Sequence, residues 1–315
     1  SMSLPSYTVV DEGTDKLWSQ WAECVREQEW TSDDNTVLGL APRLASTRAV
    51  FAQKDEDGSF LGCVIWNEYD EIAFIGFYLV HPSVKGLGIG SVLWKRAIDR
   101  MPKDYNIGLR AVPEMAAKYA SQDTPHAVSS LNKYDLSCAQ VREICSRHPP
   151  SSSSSLRIRS ISDLTTEQHA DLLRFDREVT GRDRSALLDV FFSYDRTAGS
   201  CLVDHEGKIR GYAGVTSTSF PSKNWFKLGP VYASSLEEAL QLVRPLVDYC
   251  ESFAADSRVL VKVLSGTVGA SELEAVLDGI PPSDEGTTLF SRPFSETINK
   301  SMCYIPHNNS GHFDA

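Results

Sequence analysis

The chain has 315 residues, of which 42% are hydrophobic and 23% are charged, and its formal net charge at pH 7 is −11. This composition is typical of a soluble globular protein with two domains of ordinary size. The negative charge disfavours non-specific binding to nucleic acid or to an anionic membrane, so we expect neither as a partner. The sequence contains no apolar run long enough to span a membrane and no signal-peptide pattern at its N-terminus.

The seven cysteines are scattered along the chain, and no two of them are spaced as a CxxC pair. This pattern favours reduced thiols over a disulfide framework or a zinc site. The seven histidines show no metal-ligand spacing either, so we expect no metal. Reduced thiols and the absence of a leader predict an intracellular, cytoplasmic protein.

Four elements precede the most informative stretch of the sequence. Tyr7 to Val10 is predicted as a strand, and Asp15 to Arg26 as an amphipathic helix. Arg48 to Gln53 and Ser59 to Trp66 are predicted as two further strands that are joined by a turn.

The informative stretch reads as a buried strand, a glycine-rich turn and an amphipathic helix. Ala73 to Val80 is almost wholly apolar, which predicts a central strand covered on both faces. Strand alternation predicts Gly76 and Tyr78 on one face of it and Phe77 and Leu79 on the other. From Ile89 to Met101 apolar residues recur at helical spacing.

Between this strand and this helix lie three glycines at alternate positions, Gly86, Gly88 and Gly90. They remove Cβ atoms where unpaired N–H groups at the start of a helix point outward, an arrangement suited to phosphate. A dinucleotide-binding fingerprint requires glycine where Ser91 stands, and no Gly-Lys-Ser/Thr ending of a P-loop is present. A nucleotide-binding fold is therefore disfavoured.

The stretch from Val80 to Gly90, VHPSVKGLGIG, resembles V-x-P-x-x-[R/Q]-x-x-G-x-G, the acetyl-CoA signature of the GNAT superfamily of N-acetyltransferases. Lys85 departs from the Arg or Gln of that family, although a lysine also meets a phosphate as a point charge. The resemblance implies acetyl-CoA as co-substrate. The residues that it implies as CoA-binding are Leu79, Val80, Lys85, Gly86, Leu87, Gly88, Ile89, Gly90 and Ser91.

After the helix, Asn106 to Val112 is predicted as a strand and Met115 to Tyr119 as a short helix. In GNAT proteins this strand splays from its neighbour, the pantetheine arm enters the gap, and a tyrosine on the next helix commonly protonates the departing thiolate. Tyr119 falls at that place, although Ala120 stands where the family's usual Gly-Phe begins. A phenol has a suitable pKa for the task, so the resemblance implies Tyr119 as the general acid. A packing tyrosine is the alternative interpretation.

A general base is not evident in the sequence. The charged and phenolic side chains near the central strand are Glu68, Tyr69, Asp70, Glu71 and Tyr78. The three carboxylates are typical of a solvated turn, and the sequence does not choose among the five candidates.

The composition changes at Ser146 to Ser155, a stretch of serine and proline that is typical of a linker. We therefore predict an acetyl-CoA-binding domain over residues 4–145, a linker over 146–155 and a second domain over 156–315. Leu131 to Val141 is predicted to complete the sheet of the first domain.

The second half repeats the outline of the first half, and it resembles the divergent second domain of tandem GNAT proteins. The predicted elements are a helix at Thr165 to Val179, a hairpin at Ser200 to Asp204 and Gly211 to Thr216, a strand at Trp225 to Tyr232, a capped helix after Ser235 and a strand at Val259 to Leu264. The implied fold class is α/β (α+β), with two GNAT-like domains, each a mixed, mostly antiparallel central sheet flanked by helices.

The second half lacks the glycine turn, and Pro230 removes a donor from the corresponding position. We expect this half not to bind CoA as the first half does, but to support the fold and to help wall the acceptor site. Arg177, Arg182, Asp183 and Arg184 are predicted as a solvated helix end, with an acidic substrate or an interdomain partner as alternatives. The tail from Ser301 is polar and is expected to be ordered only by docking.

These features predict an acetyl-CoA-dependent N-acetyltransferase, in which a primary amine attacks the thioester directly in a ternary complex. The partner is then an amine acceptor, either a small molecule or a protein. A second interpretation stays open, a non-catalytic acyl-CoA-binding regulatory or sensor protein, because the motif around Tyr119 is incomplete and no base is evident.

Overall fold

The structure is a computed structural model that describes residues 3–32, 35–220, 222–309 and 312. The first half follows the predicted order of elements. Its helices and strands are β1 (Tyr7–Val10), α1 (Asp15–Glu27), β2 (Thr47–Lys54), β3 (Phe60–Tyr69), β4 (Ile72–Val80), α2 (Ile89–Arg100), β5 (Asn106–Ala111), α3 (Pro113–Ala120), β6 (His126–Ser137) and α4 (Cys138–Arg147).

The second half also follows the predicted outline. Its elements are β7 (Arg157–Ser160), α5 (Thr166–Thr180), α6 (Ser185–Phe191), β8 (Thr197–Val203), β9 (Ile209–Ser217), β10 (Trp225–Tyr232), α7 (Leu236–Phe253), β11 (Arg258–Leu264), α8 (Glu274–Val276), β12 (Ser283–Phe290) and β13 (Cys303–Ile305). Residues 148–156, between α4 and β7, contain no helix or strand. The boundaries of the two domains stay a prediction.

In the described part of the chain the strands form one 13-stranded sheet, in the order β1-β2-β3-β4-β5-β12-β6-β11-β10-β9-β8-β7, with β13 paired to β10. The pairs β4–β5 and β10–β11 are parallel, and the other ladders are antiparallel. Helices cover the sheet and bury apolar side chains against it. The predicted fold class, a mixed and mostly antiparallel sheet flanked by helices, is confirmed.

The two halves exchange strands at the centre of this sheet. β12, from the second half, lies between β5 and β6 and pairs Leu289 with Leu109. On its other side β6 pairs with β11, and α4 packs against α7, where Arg142 donates to Asp248 at 2.6 Å. The prediction that Leu131 to Val141 completes the first domain's sheet is wrong, because both neighbours of β6 come from the second half and the strand ends at Ser137.

The segment after Ser301 is ordered by docking over its described residues, as predicted. β13 pairs with β10, and the buried residues that follow cross back to the first half. Lys227 Nζ donates to the carbonyl oxygen of Asn308 at 2.7 Å, and Asn309 Nδ2 donates to Thr36 Oγ1 at 2.7 Å. His312 stacks on Tyr69 with ring centroids 4.8 Å apart. Residues 310, 311 and 313–315 lie outside the described residues.

The cluster around Arg184 is not a solvated helix end. Arg184 is 6% exposed, and its guanidinium donates to Asp176 at 2.6 Å. Arg182 is also buried and lies 3.4 Å from Asp70 of the first half. The interdomain alternative is therefore correct for Arg182. Arg177 and Asp183 are exposed and fit the solvated prediction.

All seven cysteines are buried, as thiols rather than disulfides. Among the described residues, no group of three metal-ligating side chains is close enough to hold a metal ion. In the same residues, no helix combines the length and apolar character needed to cross a bilayer.

The shared sheet predicts that both halves unfold together. Phe290 on β12 is fully buried and contacts Phe74 of the first half, with ring centroids 6.3 Å apart. We expect Phe290→Ala to lower the free energy of unfolding by about 3–5 kcal/mol through the cavity that it leaves.

Urea unfolding followed by tryptophan fluorescence and by circular dichroism should give one coincident transition. The half-exposed Phe253 is the control, since Phe253→Ala should cost far less. Two separate transitions would contradict the shared-sheet interpretation.

We call the described residues after Ser301 the docked segment. The burial of its His312 predicts that the stability of the protein depends on pH. Burial, with a smaller contribution from Arg184, lowers the pKa of His312 from 6.5 to about 3. Between these values the unfolded chain binds a proton that the folded chain does not bind, so stability falls as the pH falls below about 6.5. We expect the free energy of unfolding to drop by up to about 1.4 kcal/mol per pH unit more in the wild type than in His312→Gln. Urea titrations at pH 6, 5 and 4 measure this difference, and equal slopes would refute the prediction.

Candidate functional site

The glycine turn forms an open cradle in front of α2. Gly86 and Gly88 have φ values of +80° and +92°, a left-handed conformation that favours glycine. Gly88 is the N-cap of α2 and offers no side-chain cap to the first helical turn. The N–H groups of that turn have no acceptor within the helix, and they therefore face the open side of the turn. No atom lies within 4 Å of a Cβ position built on Gly86 or Gly88, which leaves room for a ligand.

Gly90 is required for a different reason. A Cβ atom on this residue would lie 2.7 Å from Tyr78 Oη, which is closer than any real contact. The hydroxyl of Tyr78 thus reaches beneath the first turn of α2. This contact connects the glycine turn to β4.

The other residues that were predicted to bind CoA surround this turn. The side chains of Lys85 and Ser91 are exposed. Leu79 and Ile89 are buried in the core at 4% and 1% exposure, so only their main chains are available to a ligand. The side chains of Val80 and Leu87 are partly exposed.

β4 and β5 separate halfway along their length. Their parallel pairing runs from Ile72 to Ile75 and stops there, while β5 continues in register with β12 up to Ala111. Over residues 76–80, β4 pairs only with β3 among the described strands. One edge of this segment therefore presents unpaired main-chain groups to the gap, as the resemblance implied.

A β-bulge lies where the two strands part. Trp66 pairs with Ile75 and Ile65 pairs with Phe77, so Gly76 is an extra residue on β4. The bulge interrupts the alternation of the strand. Tyr78 faces the α2 side together with Ile75, whereas Gly76 lines the same cavity as Phe77 on the opposite side. The predicted face of Gly76 is therefore wrong, and the opposite placement of Tyr78 and Phe77 is correct.

Three stacked aromatic rings stand beside the gap on the α2 side. Trp94 stacks on Tyr78 with ring centroids 5.0 Å apart and on Tyr119 with centroids 5.6 Å apart. Its indole nitrogen donates to Asp123 Oδ2 at 2.9 Å. Sequence reasoning missed Trp94, although its position four residues after Gly90 places both on one face of α2 and supplies a usable signal.

Burial controls the ionisation of both tyrosines. It raises the pKa of Tyr119, and with a smaller contribution from Tyr119 it raises the pKa of Tyr78 to about 12. Both phenols keep their protons at neutral pH. They are therefore suited to donate a proton, and Tyr78, which was a candidate base, fits the role of an acid better.

The carboxylates near the central strand are engaged elsewhere. Glu68 accepts a hydrogen bond from Trp66 Nε1 at 3.0 Å and lies 3.9 Å from Arg48. Asp70 pairs with Arg182, and Glu71 is exposed in the turn between β3 and β4. None of the three is placed toward the gap by these contacts.

A small cavity lies on the other face of β4, beside the bulge. Its volume is about 10 Å³, and its polar lining comes from three separated segments of the chain. The polar residues that line it are Thr36, Asn67, Asn309 and His312. The docked segment thus closes the side of the sheet opposite to the tyrosines.

The corresponding helix of the second half is capped differently. The hydroxyl of Ser235 accepts a hydrogen bond from the N–H of Glu238 at 3.2 Å, and the first turn of α7 carries Glu237 and Glu238. A side chain and two negative charges occupy the position that an anion needs. This arrangement supports the prediction that the second half does not bind CoA in the manner of the first.

Comparison with known families agrees with this geometry. Residues 14–122 match the model of the acetyltransferase (GNAT) family, and residues 172–262 match that of a second acetyltransferase (GNAT) domain. These two ranges contain the glycine turn and β10, respectively.

Relatives extend the similarity to the whole chain. An uncharacterised protein of Caenorhabditis elegans is 36% identical over 99% of this chain and 100% of its own. The holothin acyltransferase of a Pseudoalteromonas species is 26% identical over 75% of each chain. A tandem GNAT protein from the clavulanic acid biosynthesis pathway superposes with a TM-score of 0.67 at 16% identity, over 92% of this chain and 100% of its own. The chain belongs to the GNAT superfamily of acyl-CoA-dependent acyltransferases, as a tandem member with two domains of that kind.

Proposed function

We propose that the chain is an N-acetyltransferase that transfers an acetyl group from acetyl-CoA to a primary amine by direct attack in a ternary complex. The observation that carries this proposal is the unpaired edge of β4 between the open glycine turn and two protonated tyrosines. The turn suits a diphosphate, the edge suits an extended amide-containing arm, and the tyrosines suit a departing thiolate.

The binding part of the proposal assigns one task to each segment. The N–H groups from Gly86 to Ser91 bind the diphosphate, and Lys85 adds a positive charge. The main chain of Leu79 and Val80 pairs with the pantetheine amides as an added strand does. Local donors are needed because the net charge of −11 opposes an anionic ligand over longer distances.

The chemical part relies chiefly on placing amine and thioester together. A main-chain N–H near Leu79 or Val80 polarises the thioester carbonyl. The amine nitrogen forms a bond to the carbonyl carbon, the carbon–sulfur bond breaks, and the sulfur leaves with its electron pair. The nitrogen releases its surplus proton to solvent, Tyr119 donates its proton to the departing sulfur, and solvent returns a proton to the phenolate.

Location and acceptor class complete the proposal. Seven buried thiols support a reducing compartment, and we place the protein in the cytoplasm. The acceptor is an amine carried by a small molecule or by a protein.

A second candidate is a non-catalytic acyl-CoA sensor. The lack of an evident base favours it, because Glu68 lies beside Arg48 and Asp70 beside Arg182. An assay of acetyl transfer to a panel of amines separates the two candidates. Transfer to any amine supports the enzyme, and tight CoA binding without transfer supports the sensor.

Removal of the Tyr119 hydroxyl tests the assigned acid. We expect Tyr119→Phe to reduce kcat by about 100-fold, the lower end of the usual contribution of general acid catalysis, while the Kd for CoA stays unchanged. Tyr78→Phe should reduce kcat less. Tyr249→Phe, whose hydroxyl contacts Asp195 in the second half, is the matched control. Equal turnover of Tyr119→Phe and wild type would remove Tyr119 from the mechanism.

A substitution at Gly90 tests the phosphate site, because an added Cβ atom would meet the hydroxyl of Tyr78. We expect Gly90→Ala to raise the Kd for CoA about tenfold, a loss of about 1.4 kcal/mol, because the new Cβ displaces the turn or the phenol. Loss of the hydroxyl in Gly90→Ala/Tyr78→Phe should restore most of the affinity, since the nearest remaining atoms lie 3.4 Å or more from the Cβ.

Isothermal titration calorimetry measures both Kd values. Gly58→Ala is the control, because it adds the same methyl group in the turn between β2 and β3, where open space surrounds Gly58. Unchanged CoA affinity in Gly90→Ala would argue against this location of the diphosphate.

A further inference from the structure

A larger cavity lies where the end of α1, in the first half, meets the turn between β9 and β10, in the second half. Its volume is about 440 Å³, which is within the range of pockets that hold small organic ligands. The first half contributes Arg26 to its lining, and the second half contributes residues 217–220 and 222–226. We call it the junction cavity.

Three cations line the junction cavity, and its described lining residues include no carboxylate. Arg26 comes from the first half, and Arg196 and Lys223 come from the second half. All three residues are exposed and can be reached from solvent. The chain as a whole carries a net charge of −11, so this local excess of positive charge runs against its overall composition. The electrostatic field inside the cavity favours a negatively charged ligand.

The charges of two of these cations are not used within the described part of the chain. There, the side chains of Arg26 and Lys223 form no salt bridge and donate no hydrogen bond. Lys223 Nζ lies 4.8 Å from the ring centroid of Trp225, and Arg196 Cζ lies 6.0 Å from that of Phe253. Such cation–π contacts hold a cation in place without cancelling its charge. The charge of Lys223 therefore remains available to a ligand.

Hydrogen bonds between the two halves hold the walls of the cavity together. The N–H of Ser219 donates to the carbonyl oxygen of Ser32 at 2.8 Å, and its hydroxyl donates to the carbonyl oxygen of Trp30 at 3.4 Å. These bonds join the turn that carries Lys223 to the segment that follows Arg26. The cations of the two halves are thus brought together by the fold itself, which lowers the cost of binding a ligand between them.

The proposed acyl-CoA site does not account for these cations. No residue of the predicted CoA-binding stretch, 79–91, lines the junction cavity. In addition, α2 packs on one face of β4, whereas α1 packs on the other. The diphosphate of CoA at the start of α2 therefore leaves the positive charge at the end of α1 without an explanation.

Aromatic side chains supply the apolar part of the lining. They are Phe220, Trp225 and Phe253, and the rings of Phe220 and Trp225 lie with their centroids 4.4 Å apart. Ligand pockets commonly combine such an apolar surface with a few polar groups that fix the orientation of the ligand. A ligand with an apolar body and a negatively charged end meets both parts of this lining.

We propose that the junction cavity binds a small organic anion. A carboxylate or phosphate group of this ligand contacts Arg26, Arg196 and Lys223, and its apolar body packs against the aromatic rings. The site is separate from the acyl-CoA site, so this inference goes beyond the proposed function and does not depend on it.

Ligand-observed NMR titrations with benzoate, phenyl phosphate and uncharged benzamide test the proposal. Saturating CoA is added first, so that it occupies the proposed phosphate site at the glycine turn. We expect both anions to bind, and benzamide, which carries the same ring, to bind about tenfold more weakly. Lys223→Gln and Arg26→Gln should each weaken the binding of the anions about tenfold, because each removes one charge and keeps a long polar side chain.

Lys208→Gln is the matched control, because Lys208 is exposed in the β8–β9 turn and does not line the cavity. Equal affinity of the anions for Lys223→Gln and Lys208→Gln would show a general effect of net charge and would overturn the proposal. Equal binding of benzoate and benzamide, or no binding of either anion, overturns it as well.

Calorimetry with CoA separates this proposal from the proposed function. Lys223→Gln should leave the Kd for CoA unchanged, and a weaker affinity for CoA would assign the cavity to the acyl-CoA site and overturn the proposal. If the wild type binds no CoA, the proposed function fails, whereas the titrations with the three aromatic probes still decide whether the junction cavity binds anions.

Discussion

The separation of β4 from β5 is the constraint on which the rest of the structure depends. A sheet normally satisfies both edges of an inner strand, because unpaired main-chain groups in a protein interior are costly. Here the bulge at Gly76 turns β4 away, and β12 holds β5 on its other side up to Ala111. The gap is therefore maintained by pairing on both flanks, and it stays open for a ligand that supplies the missing partners.

Each face of this gap has its own chemical character. On the α2 side, phenols and an indole provide a flat surface and two protons that burial retains. On the α1 side, a small cavity with a mainly apolar lining is closed by Asn309 and His312. A thioester that crosses the gap would meet proton donors on the α2 side.

The sequence predicts the parts of this arrangement that depend on neighbouring residues. The strand, the positive-φ glycines and the amphipathic helix are local features, and the acetyl-CoA signature follows from them. The bulge at Gly76 was not predictable, because it depends on how β3 pairs with β4. The exchanged position of β12 depends on contacts between residues that are far apart in the chain, such as Leu109 and Leu289, which are 180 positions apart. The burial of Arg182 and Arg184 likewise follows from partners that only the folded chain brings together.

The exchange of β12 has a consequence for how the protein is made. During synthesis β5 emerges from the ribosome with one edge bare, and the strand that covers this edge begins only at Ser283. At ordinary rates of translation that delay is roughly 10 to 30 s. For this period the nascent N-terminal half carries an exposed strand edge, which is the usual template for association with other chains. Chaperones that cover this edge until β12 has emerged would therefore protect the growing polypeptide from association with other chains.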